Sequence, residues 1–393
     1  MAASRQLRGG FWGVLRVLEK ATRVLKVAII GCGKIADDHA NHIARLPDCT
    51  MVGFCDRELL MAKQMQERYG GVPAFDDIGA LLAHAHPDVV HITTPPQSHF
   101  ELARRCLLAG CHVYVEKPFT VTAAEASELV ALASMTKLKV TVGHNYMFSE
   151  PARRMRELVR EGYLGGAPVH IESYYGYDLG DLAYAQAFLG DRQHWLRQLP
   201  GGLFQNIISH GICRIAEYIG SEPPRVVAHA FQSPLLQQSG QSDIQDELRV
   251  MVQAGSTSAF FVFSTQMRPQ LSELRIYGPR NALILLDHQH TLLKLPGGRY
   301  KSYMQYLVPP VAMASQYLRE TVGNLRELVT GRLHLNDGLR MLIEQFYRSI
   351  THGDDPPIPM SEIVLTAEIM DRIFETVGGA SAAPGRSMAD AMR

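Results

Sequence analysis

"KVAIIGCGKIADDHANHIARL", residues 26–46, decides the fold. An apolar run over Val27–Ile30 reads as a strand, Gly31 to Gly33 as a turn, and the rest as a helix. Gly31-Cys32-Gly33-Lys34-Ile35-Ala36 matches G-x-G-x-x-A. Gly31 permits the tight turn, Gly33 lets the backbone approach a pyrophosphate, and Ala36 lets the helix pack close to the sheet. Lys34 and Ile35 open the helix, whose free N–H groups suit phosphates. The next strand, "CTMVGFCDRE", ends at Asp56. A carboxylate there accepts hydrogen bonds from ribose hydroxyls and repels a 2′-phosphate, while Arg57 softens that preference. The expected cofactor is NAD, with NADP as the alternative.

Outward from this stretch, strands and helices alternate as far as "TAAEASELVALASMTKLKVTVGHNYMF". That rhythm predicts an α/β dinucleotide-binding Rossmann domain over 26–148, a doubly wound parallel sheet with ligands at the carboxyl ends of its strands. After about residue 150 the rhythm breaks. "APVHIESYYGY", "RVVAHAFQS", "DELRVMVQAG", "TSAFFVFSTQ", "SELRIYG" and "ALILLDHQHTLLKL" read as strands joined by short turns. They predict an α+β domain over 149–378 with an open, mainly antiparallel sheet that binds substrate and presents a face for a homo-dimer or homo-tetramer. Helices return at "MASQYLRETVGNLRELVTG", "GLRMLIEQFYRSITHG" and "SEIVLTAEIMDRIFETVG", the last with a weak capping-box start at Ser361. The small, polar tail 379–393 reads as disordered.

Composition narrows the partners. Lys+Arg and Asp+Glu are 39 each, so the net charge is zero, and nucleic acid is not the expected partner. The six cysteines form no CxxC pair, which suits a reduced cytoplasmic protein. No histidine lies in HExxH or beside paired cysteines, so no metal is expected. No stretch reaches the roughly 20 apolar residues of a membrane span. The N-terminal extension 1–25 mixes Arg5, Arg8, Arg16, Lys20 and Arg23 with Phe11, Trp12, Leu15 and Leu18. It reads as a helix on its own protein, as a basic amphipathic helix making peripheral membrane contact, or as a targeting peptide.

Two further loops belong on the sheet edge that holds the glycine turn. "TTPPQSH", residues 93–99, offers Thr94, Pro95 and His99 to the cofactor, or is a rigid turn only. "CHVYVEKPFTV", residues 111–121, ends a strand at Glu116-Lys117-Pro118. A buried Lys117 ammonium would stabilise a developing alkoxide or help move its proton, with Glu116 pairing to it or holding a ribose or amide.

The G-x-G-x-x-A turn, T-P-P-x-x-H, E-K-P and a later G-G…S-H together resemble the glucose–fructose oxidoreductase and inositol dehydrogenase family, from about Lys26 to about Gly378. The resemblance implies a hydride transfer between a secondary alcohol of a sugar or nucleotide sugar and NAD(P), with Lys117 catalytic or orienting. It also implies that His210 is the acid/base, a role its ordinary pKa near 6.5 suits. Asn206 stands where the family typically carries Asp. It leaves open a retuned dehydrogenase, an enzyme that oxidises only transiently toward epimerisation or elimination, or a non-catalytic NAD-binding regulator or scaffold. Asn206 and His210 are four apart, so one helix face would carry both. Tyr146, with His144 and Asn145 behind it, is the substrate-facing residue expected after the last Rossmann strand, or an ordinary hinge. Trp195 and Arg197, with His194 beside them, suit a sugar face and an anionic group, or are loop packing. Tyr174, Tyr175 and Tyr177 read as sheet packing.

Overall fold

The computed structural model describes residues 24–179, 188–238, 240–241, 243–331, 333 and 337–382. Its first sheet contains β1 (Leu25–Ile30), β2 (Cys49–Cys55), β3 (Ala74–Phe75), β4 (Val89–Ile92), β5 (His112–Val115) and β6 (Val140–Val142). The strand order is β3-β2-β1-β4-β5-β6, and every pair is parallel. Helices α1 (Lys34–Ile43), α2 (Leu59–Arg68), α3 (Ile78–Ala85), α4 (His99–Leu108) and α5 (Ala123–Thr136) connect the strands. Both faces of the central strands are covered, which is why Val27, Ala28, Ile29, Val89 and Val90 are fully buried without apolar/polar alternation. The order reverses between β1 and β4, and at such a switch point a crevice opens beyond the carboxyl ends of the strands. The Thr122 hydroxyl accepts from the Glu125 N–H and Glu125 reaches back, a capping box that fixes the start of α5 just after the β5 loop.

After α6 (Glu150–Arg160) and β7 (His170–Gly176) come α7 (Gly202–Ile207), α8 (Ser209–Tyr218), β8 (Arg225–Phe231), α9 (Pro234–Gln238), β9 (Glu247–Ala254), β10 (Thr257–Ser264) and β11 (Ser272–Tyr277). The stretch read as a single strand at 282–295 is two, β12 (Asn281–Leu286) and β13 (Thr291–Pro296), reversed at His290, which takes φ +46°. The four polar residues Asp287-His288-Gln289-His290 between the apolar arms mark the reversal. The second sheet runs β13-β12-β11-β7-β10-β9-β8. Only β7 and β10 pair in parallel; the other neighbours are antiparallel. One face packs on α8; on the other, Val227, Met251 and Phe260 lie side by side in register and are exposed.

Three helices follow: α10 (Met304–Val329), α11 (Asp337–His352) and α12 (Met360–Ala382). None of the residues of α10 is buried. Helix α11 returns to the first sheet, where Leu339, Leu342, Ile343 and Phe346 join its core although they follow the expected boundary at 148/149 by almost two hundred residues. Helix α12 starts at Met360, one residue before the Ser361 expected to open it, and continues to Ala382 into the segment expected to be disordered. Residues 383–393, and residues 1–23 of the N-terminal extension, lie outside the described residues. No described helix is long and apolar enough to cross a membrane.

Helix α8 can approach β10 only because Gly211 has no side chain: a Cβ there would lie 2.1 Å from Phe261. Gly211→Ala is therefore expected to destabilise by about 1–3 kcal/mol through overpacking. Urea unfolding should show a lower midpoint with an unchanged slope.

Candidate active site

The glycine turn is set by the loop after β4. Gly31 takes φ +91°, and a Cβ on it would strike Thr94 at 2.7 Å. Gly33 faces the other way: a Cβ there would meet nothing within 4 Å. It caps α1 without a side-chain hydrogen bond, so the first N–H groups of the helix are available to an anion. Asp56 Oδ2 accepts from the Cys32 N–H at 2.7 Å and Oδ1 from the Glu58 N–H at 2.9 Å, which ties the turn to the end of β2. Gly31, Gly33, Asp56, Arg57, Thr94 and Pro95 line one open cleft of about 660 Å³. Asp76 and Asp77 line it too, and their carboxylates add to the repulsion of a 2′-phosphate. Lys34 lies exposed, and Ile35 half-buried, at the start of the helix. An open glycine, uncapped helix N–H groups and a ribose-reading carboxylate fit a dinucleotide. His99 sits beneath this wall rather than on it. It is fully buried, with Nδ1 2.8 Å from the Pro118 carbonyl and Nε2 2.8 Å from the Thr94 carbonyl, so it ties the two edge loops together.

Glu116 and Lys117 leave β5 at the same edge. Glu116 is buried, its Oε1 3.0 Å from His39 Nε2 and its Oε2 accepting from the Lys117 N–H at 3.2 Å. Burial alone would raise its pKa; the His39 hydrogen bond and the charges of His39 and Lys117 outweigh it and bring the carboxyl below its ordinary value. Lys117 Nζ donates to the Asn206 carbonyl at 3.0 Å and lies 3.5 Å from Asn206 Oδ1. Burial lowers the pKa of this ammonium, and Glu116 opposes the drop. The peptide bond from Lys117 to Pro118 is cis.

His210 opens α8, whereas Asn206 ends α7; the chain breaks between the two helices, so no single helix carries both. Tyr146 stands edge-on to the His210 ring at 4.9 Å, and Tyr175 lies against it at 5.4 Å. Burial first, then Lys117, His144 and Arg214, push the His210 pKa well below 6.5. Lys117 is thus near enough to His210 for its charge to disfavour a proton there. His144 behind them is pushed down to about 3, chiefly by burial. Three residues complete the group beyond those read from sequence. Tyr175, read as sheet packing, faces the histidine. Arg214 lies over the Tyr146 ring at 5.4 Å and pairs with Asp287 at 2.7 Å. Arg214 was legible as the residue one helical turn beyond His210; Asp287, in the β12–β13 turn, carried no local signal.

Trp195 and Arg197 are corrected. Trp195 lines the cofactor cleft beside Asp56, and its carbonyl accepts from Gln97 Nε2 at 2.8 Å, away from Lys117 and His210. Arg197, its side chain 6% exposed, donates to the Phe188 and Leu189 carbonyls, to Gln241 and to Asp243. Its guanidinium is saturated by its own chain and holds a loop. Tyr174 turns from the site toward Glu172.

Residues 25–144 match the model of an oxidoreductase family with an NAD-binding Rossmann fold, named for glucose–fructose oxidoreductase and inositol dehydrogenase. Over those residues the chain is similar to that family. Its second, mixed sheet and the returning helix α11 lie outside the matched residues. D-Glucoside 3-dehydrogenase of Escherichia coli is 36% identical over 142 residues, which cover 36% of this chain and 40% of that enzyme. The match to the uncharacterised oxidoreductase YhhX of E. coli is 26% identical and covers 90% of this chain and 96% of that protein. Among solved structures, the WlbA dehydrogenase of Bordetella pertussis, in complex with NADH and UDP-GlcNAcA, superposes with a TM-score of 0.72 at 16% identity, covering 91% of this chain and 96% of that one. The match to the UDP-N-acetylglucosamine 3-dehydrogenase GnnA of Acidithiobacillus ferrooxidans has a TM-score of 0.65 at 19% identity, covering 90% and 98% of the two chains. At those identities the likeness is one of fold.

Gly33 is the residue whose change reads the cofactor site alone. Its φ of −76° suits any residue, and a side chain there clashes with nothing in the protein. Gly33→Val should fold with an unchanged Tm and circular dichroism, yet lose at least about tenfold in NAD affinity by blocking the phosphate approach. Titration of tryptophan fluorescence with NAD reads the loss.

Proposed function

We propose that the protein is an NAD-dependent dehydrogenase that oxidises a secondary alcohol of a sugar or nucleotide sugar. The observation that carries this reading is the Lys117 ammonium at the end of the strand edge that holds the glycine turn, bonded to the Asn206 carbonyl at 3.0 Å and near enough to His210 to disfavour its proton. NAD supplies the hydride acceptor. The Lys117 ammonium steadies the oxygen that becomes the carbonyl, and the neutral His210 imidazole takes the hydroxyl proton. Tyr146 and Asn206 orient neighbouring hydroxyls. Unpartnered buried atoms among the described residues gather here: His210 Nδ1, Asn145 Oδ1, Arg214 Nε and Arg214 Nη2. Such atoms favour a ligand rich in hydroxyls, which would satisfy several at once. The sugar dehydrogenases among the relatives support the same substrate class.

Purified protein with NAD and a panel of sugars and nucleotide sugars should develop the absorbance of NADH. Lys117→Ala should lower kcat about 10²–10⁴-fold while NAD affinity holds. Tight NAD binding with no reduction across the panel, and no solvent deuterium entering any sugar, would leave the binding-protein reading.

Asn206 makes a second measurement decisive. With no carboxylate beside it, His210 stays neutral at pH 7 and is fully available as a base, and the acid limb of the rate profile lies below pH 6.5. Asn206→Asp places a negative charge near the imidazole and raises its pKa. The acid limb of kcat/KM should move upward by about one pH unit.

A further inference from the structure

Four side chains beneath the site form a single hydrogen-bonded file. Glu116 Oε1 lies 3.0 Å from His39 Nε2, His39 Nδ1 lies 2.7 Å from His91 Nδ1, and His91 Nε2 lies 2.8 Å from the Tyr347 hydroxyl. They come from the end of β5, from α1, from β4 and from α11. His39 and His91 are fully buried, and a Cβ on Gly143 would lie 2.5 Å from Glu116 Oε1, so the carboxylate fits only because that residue is glycine. Two imidazoles in a sheet core cost desolvation that apolar residues would not. At one end Glu116 holds the Lys117 N–H. At the other, Tyr347 lines an open surface cleft of about 210 Å³ with Asp48, Glu344 and His352.

The atoms force a direction on the file. Two ring nitrogens 2.7 Å apart share one proton, so one donates and one accepts. When His39 is neutral and its Nε2 donates to the Glu116 carboxylate, its Nδ1 accepts from His91 Nδ1–H, and His91 Nε2 accepts from the Tyr347 hydroxyl. Moving one proton along each link reverses every bond at once.

We propose that Glu116, His39, His91 and Tyr347 are a proton relay that joins solvent at the α11 cleft to the carboxylate beside Lys117. In the inward stroke Tyr347 gives its proton to His91 Nε2, His91 gives its Nδ1 proton to His39 Nδ1, and His39 gives its Nε2 proton to Glu116 Oε1. The Tyr347 oxygen regains a proton from solvent, so one proton enters and Glu116 becomes neutral. The outward stroke is the reverse. Neutral Glu116 no longer supports the charge of Lys117, so the inward stroke loosens the ammonium proton and the outward stroke restores it. The use of this device rests on the dehydrogenase reading, in which each turnover releases or consumes a proton; its existence rests on the geometry.

The neighbouring groups fit. The Tyr114 ring stacks on His91 at 4.7 Å and meets His39 edge-on at 5.0 Å, and its hydroxyl has no partner among the described residues. His42 faces His39 from α1, and His99, His144 and Lys117 face Glu116. Cys49 faces Tyr347. Burial, then His39, keeps His91 neutral, and burial, then Cys49, keeps the Tyr347 phenol protonated.

Tyr347→Phe cuts the outer link and keeps the ring; Tyr114→Phe removes a hydroxyl of the same cluster outside the file. Nitrogen-15 histidine NMR of the full-length protein with NAD, without substrate, reads the exchange of the His39 and His91 ring protons with water. Tyr347→Phe should slow that exchange at least about tenfold, while Tyr114→Phe and the amide exchange of β4 stay unchanged. With any alcohol the protein oxidises, Tyr347→Phe should also raise the solvent isotope effect on kcat and leave NAD affinity as it was. Unchanged ring-proton exchange in Tyr347→Phe, or equal slowing in Tyr114→Phe, overturns the relay. If no alcohol is oxidised, the exchange measurement decides the relay alone, and the dehydrogenase reading fails separately.

Discussion

The buried carboxylate of Glu116 is the constraint on which the site depends. It follows β5 in a largely buried place, and it stays ionised by accepting from His39 and from the Lys117 backbone and by the charges of His39 and Lys117. Those two bonds lock α1 against the β5 edge. They also fix the direction in which Lys117 leaves the strand, and hence the reach of its ammonium to the Asn206 carbonyl. The glycine turn at the head of α1 and the lysine at the end of β5 are therefore not independent features. One carboxylate links the helix that follows the glycine turn to the lysine proposed to face the alcohol.

Electrostatics at the other wall run in one direction. Burial, Lys117, His144 and Arg214 all disfavour a proton on His210, and Asn206 adds no charge against them. Arg214 is itself held by Asp287, so the second sheet contributes a fixed cation–carboxylate pair beneath Tyr146. The result is a neutral imidazole with an unpartnered ring nitrogen beside an ammonium. That combination accepts a proton readily and stabilises an oxyanion, as the oxidation of an alcohol requires.

Much of this was legible in the residues. The Gly31–Ala36 turn, Asp56 and the Glu116-Lys117-Pro118 edge could be named because each sits at the end of an element whose periodicity locates it, whereas His210 was named through the family resemblance. The misplacements have one cause. Trp195 and Arg197 lie in a single 3-10 turn, Trp195–Gln198, and side chains on so short an element point where tertiary partners take them. Arg197 found four acceptors of its own chain, and Trp195 turned to the cofactor wall. His99 had the right loop but spends both ring nitrogens on backbone carbonyls, a use that spacing cannot distinguish from ligand contact. The β12–β13 reversal has a local signal, the polar run Asp287-His288-Gln289-His290, which a single-strand reading passes over.

The sequence by itself determined the strand–turn–helix order, the parallel sheet and the phosphate-ready helix start, because these follow from local periodicity and from what glycine permits. Only the tertiary structure decided that α11 returns to the first core, that Tyr175, Arg214 and Asp287 meet His210, and that two histidines join Glu116 to Tyr347. Those contacts link residues remote along the chain, and nothing in local pattern records which buried polar groups will find one another when the layers close.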